Sequence, residues 1–439
     1  MRSYVKKVLA LGMSAAVMMG TLSGCGAGPS GSNSAAGSSE GTEGNVEITY
    51  YCIPDAAKLV PKKVEMFQKE YPNVSVNIVE LPNDASERLT TISTALQAGD
   101  SSVDIFDMDV TWPEMFNVAG WLEPLDDVMT EEEIKEFYPN AIEANTYEGK
   151  LCSLPIYIDA GMLFYRSDLL EKYGYDVPET WDDVVAISKD IMEKEEGVNA
   201  GIAGSWKQFE GLVCNALEYV WAYGGDVLDE NGNVIIDSEG TKEGLKRFYD
   251  IVNTDKIAAE GATSFTVTDS RVPFYSGNMV FLRDWSSAYV GAQDEKNSSV
   301  AGKIGFTTMP KGNDKGTNNS CLGGWEIGVS AFSAHKAEAK AFAKYVTSYE
   351  AQKMEAIVNA KMPSRPAVLE DAEVKEKVPY LTEMVGISEL SKGRPKSAYY
   401  SEMSSVMQQE ISALLAGSED VDTACSNMQK QLEEIAGRS

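Results

Sequence analysis

The sequence predicts an α/β fold with room for two domains, and three observations carry that expectation. The chain has 439 residues, enough for two separate cores. Its composition, 43% hydrophobic and 24% charged, is that of a globular protein. From residue 46 to 109, period-two and helical patterns alternate as strand–helix–strand–helix–strand, which implies parallel strands joined by right-handed crossovers. Sheets of that kind bind ligands beyond the carboxyl ends of their strands.

Before that body comes a leader. Arg2, Lys6 and Lys7 form a positive region, Val8 to Leu22 carries no charge, and small residues lead to Cys25. This is the layout of a secretory signal, and the apolar run is too short for an ordinary membrane span. Leu22-Ser23-Gly24-Cys25 resembles the bacterial lipobox. The resemblance implies a signal peptide over 1–24 and a diacylglyceryl thioether on Cys25, whose two acyl chains hold the protein at the outer face of the cell membrane. Residues 26–44, almost wholly Gly, Ser, Ala, Asn and Glu, bury no apolar area and predict a flexible tether.

The body then reads element by element. Val46 to Ile53 is β-rich and stops at Pro54, and Pro61 to Tyr71 carries Val64 and Phe67 at helical spacing. Val74 to Ile78 alternates with period two. Asp84 to Ala98 places Leu89, Ile92 and Leu96 on one helical face, with Gly99 as a stop. Val103 to Asp109 is the third strand, and Asp107 and Asp109 fall at its carboxyl end. Farther on, Thr180 and Asp183 have capping-box spacing ahead of Val184, Ile187 and Ile191. Lys336 to Val346 and Asp420 to Ile435 are amphipathic helices.

Charge and composition remove several functions. With 38 Lys+Arg against 67 Asp+Glu, the formal charge is 38 − 67 = −29, and a phosphate backbone is repelled. A single histidine, His335, excludes a histidine triad or a His-rich metal site. Beyond Cys25 there are five cysteines, Cys52, Cys152, Cys214, Cys321 and Cys425, none in a CxxC pair and none at zinc-like spacing. They read as small buried apolar residues. One disulfide is compatible with an oxidising exterior, and the sequence does not choose the pair.

Four segments mix aromatic rings with carboxylates or a bare backbone. They are Asp107 to Trp112, Pro155 to Asp159, Phe281 to Trp285 and Gly323-Gly324-Trp325. A neutral sugar needs this combination: flat rings cover its C–H faces, and carboxylates accept from its hydroxyls. Tyr157 and Asp159 are two apart, hence on one side of an extended chain.

These segments also carry a family resemblance over essentially the whole mature chain. Phe67 to Val74, Gly120 to Leu125, Tyr147 to Leu151 and Pro178 to Trp181 follow the order and spacing of the maltose-binding-like extracellular solute-binding proteins of ABC sugar importers. Asp109 to Trp112, Tyr157 to Gly161, Lys207 to Cys214 and Leu322 to Trp325 resemble the trehalose/maltose-binding group most closely. The resemblance implies two lobes of periplasmic-binding-protein type, 45–157 with 319–362 and 158–318 with 363–439. The ligand then sits in the cleft between them, and the lobes close about a hinge. It implies that Asp109 and Asp159 accept from sugar hydroxyls, that Tyr157, Trp285 and Trp325 wall the rings, and that Gly324 offers backbone. Arg88 and Arg394 donate to hydroxyls or bridge to the carboxylates; for Arg394 a surface or interlobe salt bridge is the alternative. An acidic sugar ligand is implied in the loop after the first strand, where this chain has Ala56 beside Asp55.

The implied protein is a monomer without catalysis, cofactor or metal, which captures an α-linked disaccharide such as trehalose or maltose and delivers it to a permease. Another solute (oligosaccharide, polyol or glycan fragment) or presentation to a sensor is the alternative. A glycoside hydrolase needs paired carboxylates across a scissile bond, and the sequence has acids in plenty but no catalytic motif.

Overall fold

The computed structural model describes residues 45–55 and 57–438. The leader, Cys25, the tether and Ala56 lie outside them. The described strands are β1 (Val46–Cys52), β2 (Val74–Glu80), β3 (Ile105–Asp109), β4 (Thr146–Tyr147), β5 (Lys150–Leu151), β6 (Leu154–Ala160), β7 (Met162–Arg166), β8 (Ala200–Ala203), β9 (Met279–Asp284), β10 (Ile304–Thr307) and β11 (Leu322–Val329). They form a five-stranded sheet in the order β2-β1-β3-β11-β6, a four-stranded sheet in the order β10-β7-β9-β8, and the small β4-β5 hairpin.

The expected parallel start is present, since β1 pairs in parallel with both β2 and β3. The helices between them run Leu59–Glu70 and Ala85–Gln97. Asp84 caps the second by accepting from Ser86 N and Glu87 N. Thr180 and Asp183 make the full capping box of the helix Trp181–Lys194. The amphipathic patterns near the end become helices Lys336–Val346 and Val421–Ala436.

The two sheets lie in different cores. Ile48, Phe67, Ile327 and Phe342 pack under the five-stranded sheet, and Phe164, Trp181, Phe248 and Phe281 pack around the four-stranded one. The chain passes between sheets where β6 ends at Ala160 and β7 begins at Met162, with Gly161 alone between. A Cβ at Gly161 would stand 2.2 Å from the Glu218 carboxylate and 2.3 Å from the Arg283 guanidinium, so the crossing admits only glycine. A return passage joins β10 to β11.

Glu326, at a bulge in β11, is a buried carboxyl with one strong partner, the Asn145 Nδ2 that donates at 2.8 Å. Burial, aided by the nearby Asp109 charge, pushes its pKa up to about 8. A carboxyl raised in the folded state adds stability below its unfolded pKa, and that stability is lost as pH rises through the folded value. Between about pH 4.5 and 8, stability should therefore fall at up to about 1.4 kcal/mol per pH unit on this account. Glu326→Gln should flatten this part of the Tm profile, and an unchanged profile would count against a neutral Glu326.

Candidate functional site

Sheet register builds the site. Trp325 pairs with Asp109 on one side and with Tyr157 on the other, so three adjacent strands present these residues in one row. Gly323 pairs with Asp159 two residues along. Gly324 has φ +140°, and a Cβ there would lie 2.9 Å from the Tyr157 carbonyl oxygen, so the strand passes only as glycine. Trp285, just after β9 of the other sheet, lays its ring against Gly323, where a Cβ would come within 2.6 Å.

A cavity of about 230 Å³ opens between the two sheets, and it is lined by all eight expected residues: Arg88, Asp109, Tyr157, Asp159, Trp285, Gly324, Trp325 and Arg394. A second cavity of about 650 Å³ adjoins it and takes in Asp107. Trp112 is placed differently from its neighbours. It is buried and meets Trp325 edge-on at 5.8 Å, supporting the wall from behind.

The carboxylates are held by fixed donors. Asp109 Oδ1 accepts from Thr111 N at 3.0 Å, Thr111 Oγ1 at 2.8 Å and Arg394 Nη2 at 2.8 Å. All of these bonds fall on Oδ1, which leaves Oδ2 for a ligand hydroxyl. Asp159 Oδ1 accepts from Ala160 N at 3.0 Å and from Ser286 N at 3.1 Å, so a β6 carboxylate is tied to the segment that follows β9. Lys361 Nζ lies 3.5 Å from Asp159 Oδ2 and over the Tyr157 ring at 4.3 Å. Burial, then the Asp159 charge, push the Tyr157 phenol well above its usual range, so it stays a neutral donor.

The arginines divide into bridging and stacking roles. Arg394, with a side chain 1% exposed, donates Nη2 to Asp109 and Nη1 to Glu210 at 2.7 Å. Arg394 thus forms a buried bridge between two carboxylates, an arrangement that both of its expected readings share. Burial opposes the Arg394 charge, but Asp109 and the groups around it keep its pKa well above the ordinary guanidinium value. Arg88 donates Nη1 to the carbonyls of Pro82 and Asn83 at 2.8 and 3.1 Å, and its guanidinium covers the Trp325 ring at 4.5 Å. Arg88 hydrogen-bonds no carboxylate among the described residues, and desolvation lowers its pKa. Its buried Nε and that of Arg394 have no hydrogen-bond partner among the described residues.

Sequence reasoning missed Arg271, Lys361 and Glu210 as cavity residues. Arg271 is fixed by two 2.8 Å bonds to Asp284, a pairing between a helix and a strand that leaves no local sequence signal. Lys361 follows Ala360 in the left-handed region at the end of helix Tyr349–Asn359. Glu210 was visible inside the Lys207–Cys214 match, but its role depends on Arg394, 184 residues away. Asp55, next to the absent acid of the first loop, accepts from Leu59 N and Val60 N and so caps a helix.

Two sheets whose ends share one cavity, with carboxylates, guanidiniums and indoles fixed around it, define a two-lobed receptor for a polar small solute. The family model for bacterial extracellular solute-binding proteins matches residues 54–353, and the chain belongs to that family, the substrate-binding proteins of ABC transporters, which are not enzymes. A probable ABC transporter-binding protein of Deinococcus radiodurans is 30% identical over 403 residues, 90% of this chain and 94% of that one. The mannitol-binding protein of Pseudomonas aeruginosa is 26% identical over 291 residues, 65% of this chain and 64% of that one. Among solved structures, maltose-bound MalE3 of T. maritima superposes with a TM-score of 0.85 at 36% identity, covering 89% of this chain and 100% of that one.

Proposed function

We propose that the protein captures an α-linked glucose disaccharide, trehalose or maltose, and hands it to a permease. The observation that carries this reading is the row Asp109–Trp325–Tyr157 facing Trp285, which joins hydroxyl acceptors to ring walls in one cavity. The likeness to MalE3, whose structure holds maltose, supports it. In this reading Asp109 and Asp159 accept from hydroxyls, Arg88 and Arg394 donate, and Tyr157, Trp285 and Trp325 cover the rings. The lobes are 45–157 with 319–362 and 158–318 with 363–439, and contacts made only on closure shift the open–closed balance. The protein acts as a monomer, tethered through Cys25 at the outer face of the membrane after removal of 1–24.

A longer α-glucan is the second reading. The adjoining cavity favours it, since it shares Ile53, Pro54, Tyr157, Arg271, Ser287 and Lys361 with the first.

Tryptophan fluorescence tests the site, because Trp285 and Trp325 line it. Asp159→Ala and Trp325→Ala should each weaken sugar binding about ten- to a hundred-fold, the loss of roughly 1.5–3 kcal/mol. Folded variants that bind like the parent would move the site elsewhere.

A further inference from the structure

Lys361 lines both the cavity of about 230 Å³ and the adjoining one of about 650 Å³. The base of its side chain is fixed. Ala360 before it is fully buried in the left-handed region, with φ 51°. Met362 after it accepts from Ile158 N at 2.9 Å, which ties the segment to β6. The head of the side chain rests on two longer contacts. Its ammonium stands 3.5 Å from Asp159 Oδ2 and 4.3 Å from the centroid of the Tyr157 ring. Tyr157 and Arg271 also line both cavities, and each is locked. Tyr157 is buried on the paired strand β6, and Arg271 is bound twice to Asp284. Lys361 is therefore the long side chain of this junction that packing holds least.

A sugar ring stacks on an aromatic face, and the Lys361 ammonium already covers one face of Tyr157. The larger cavity carries Asp294, Asn297 and Asn359, acceptors and amides that suit further hydroxyls. The chemistry for a longer chain is present, and the way to it is covered. We propose that Lys361 sets the length of the bound glucan: its side chain ends the site after two sugar units and bars the larger cavity. This rests on the reading of the site as a receptor for an α-linked glucose disaccharide. A longer glucan is then what the site accepts once Lys361 is shortened.

Calorimetric titration of the full chain with maltose and with maltotetraose tests this. The parent should bind maltose about tenfold more tightly than maltotetraose, or better. Lys361→Ala and Lys361→Ser should each move that ratio toward maltotetraose by about tenfold or more. Lys361→Met keeps the reach of the side chain without its charge, and it should keep the parental preference. A parent that binds both glucans equally, or shortened variants with the parental ratio, would overturn the inference and leave the sugar site standing. A Met variant that behaves like the Ala variant would also overturn it, since charge rather than reach would then discriminate. A parent that binds neither glucan would overturn both the inference and maltose as the ligand.

Discussion

Arg394→Ala should abolish high-affinity sugar binding and destabilise the fold at the same time. Among the described residues, Arg394 is the one cation that joins Asp109, at the end of β3, to Glu210, at the start of the helix Glu210–Ala222. Glu210 is held further by Tyr400 OH at 2.5 Å and by Ser404 Oγ. Removing the guanidinium leaves two largely buried carboxylates facing each other at the cavity wall. Breaking a buried pair from one side costs about 3–5 kcal/mol, because the remaining charge has no compensation. Asp109 also loses the donor that fixes its Oδ1, so Oδ2 is no longer aimed, and sugar affinity should drop about a hundred-fold or more. Arg394→Lys should rescue only part of this, since one ammonium cannot span two carboxylates as a fork does. Thermal unfolding and a sugar titration on the same samples separate the two losses. A variant with parental Tm and parental affinity would show that the bridge matters to neither.

Glu218→Ala is expected to act through the hinge. Glu218 Oε2 accepts from Arg283 Nε at 2.7 Å and Oε1 from Arg283 Nη2 at 2.5 Å, with both side chains nearly inaccessible. The same Arg283 guanidinium stacks on Trp285 at 4.4 Å. The substitution strands a buried cation beside the passage from β6 to β7 and frees the Cys321 N–H, which donates to Glu218 Oε1 at 2.9 Å. We expect a loss of about 3–5 kcal/mol, with Trp285 no longer seated on Gly323. Glu218→Leu combined with Arg283→Met should recover part of that loss, because neither charge is then unpaired. A double variant less stable than either single one would contradict this.

Much of the fold was legible because local patterns and tertiary packing agree. The helix Lys336–Val346 ends where its apolar stripe ends, and Thr180–Asp183 starts its helix as the capping spacing requires. The carboxylate at the end of β3 followed from parallel topology alone. Ring and carboxylate residues of the cavity were legible because their types are uncommon and their segments match a family in order. Arg271, Lys361 and Glu210 were not, because each acts through a partner brought near only by the fold. Register decides such contacts, and no window of sequence contains it.

Calorimetric titration of residues 45–439 is the measurement closest to the central claim. The panel is trehalose, maltose, sucrose, cellobiose, longer glucans, glucose and mannitol. The account predicts one saturable site for an α-linked glucose disaccharide at about micromolar Kd or tighter, some −8 kcal/mol. Saturable binding of cellobiose, sucrose or mannitol alone would contradict the α-disaccharide assignment, and no heat with any sugar or polyol would contradict the sugar site itself.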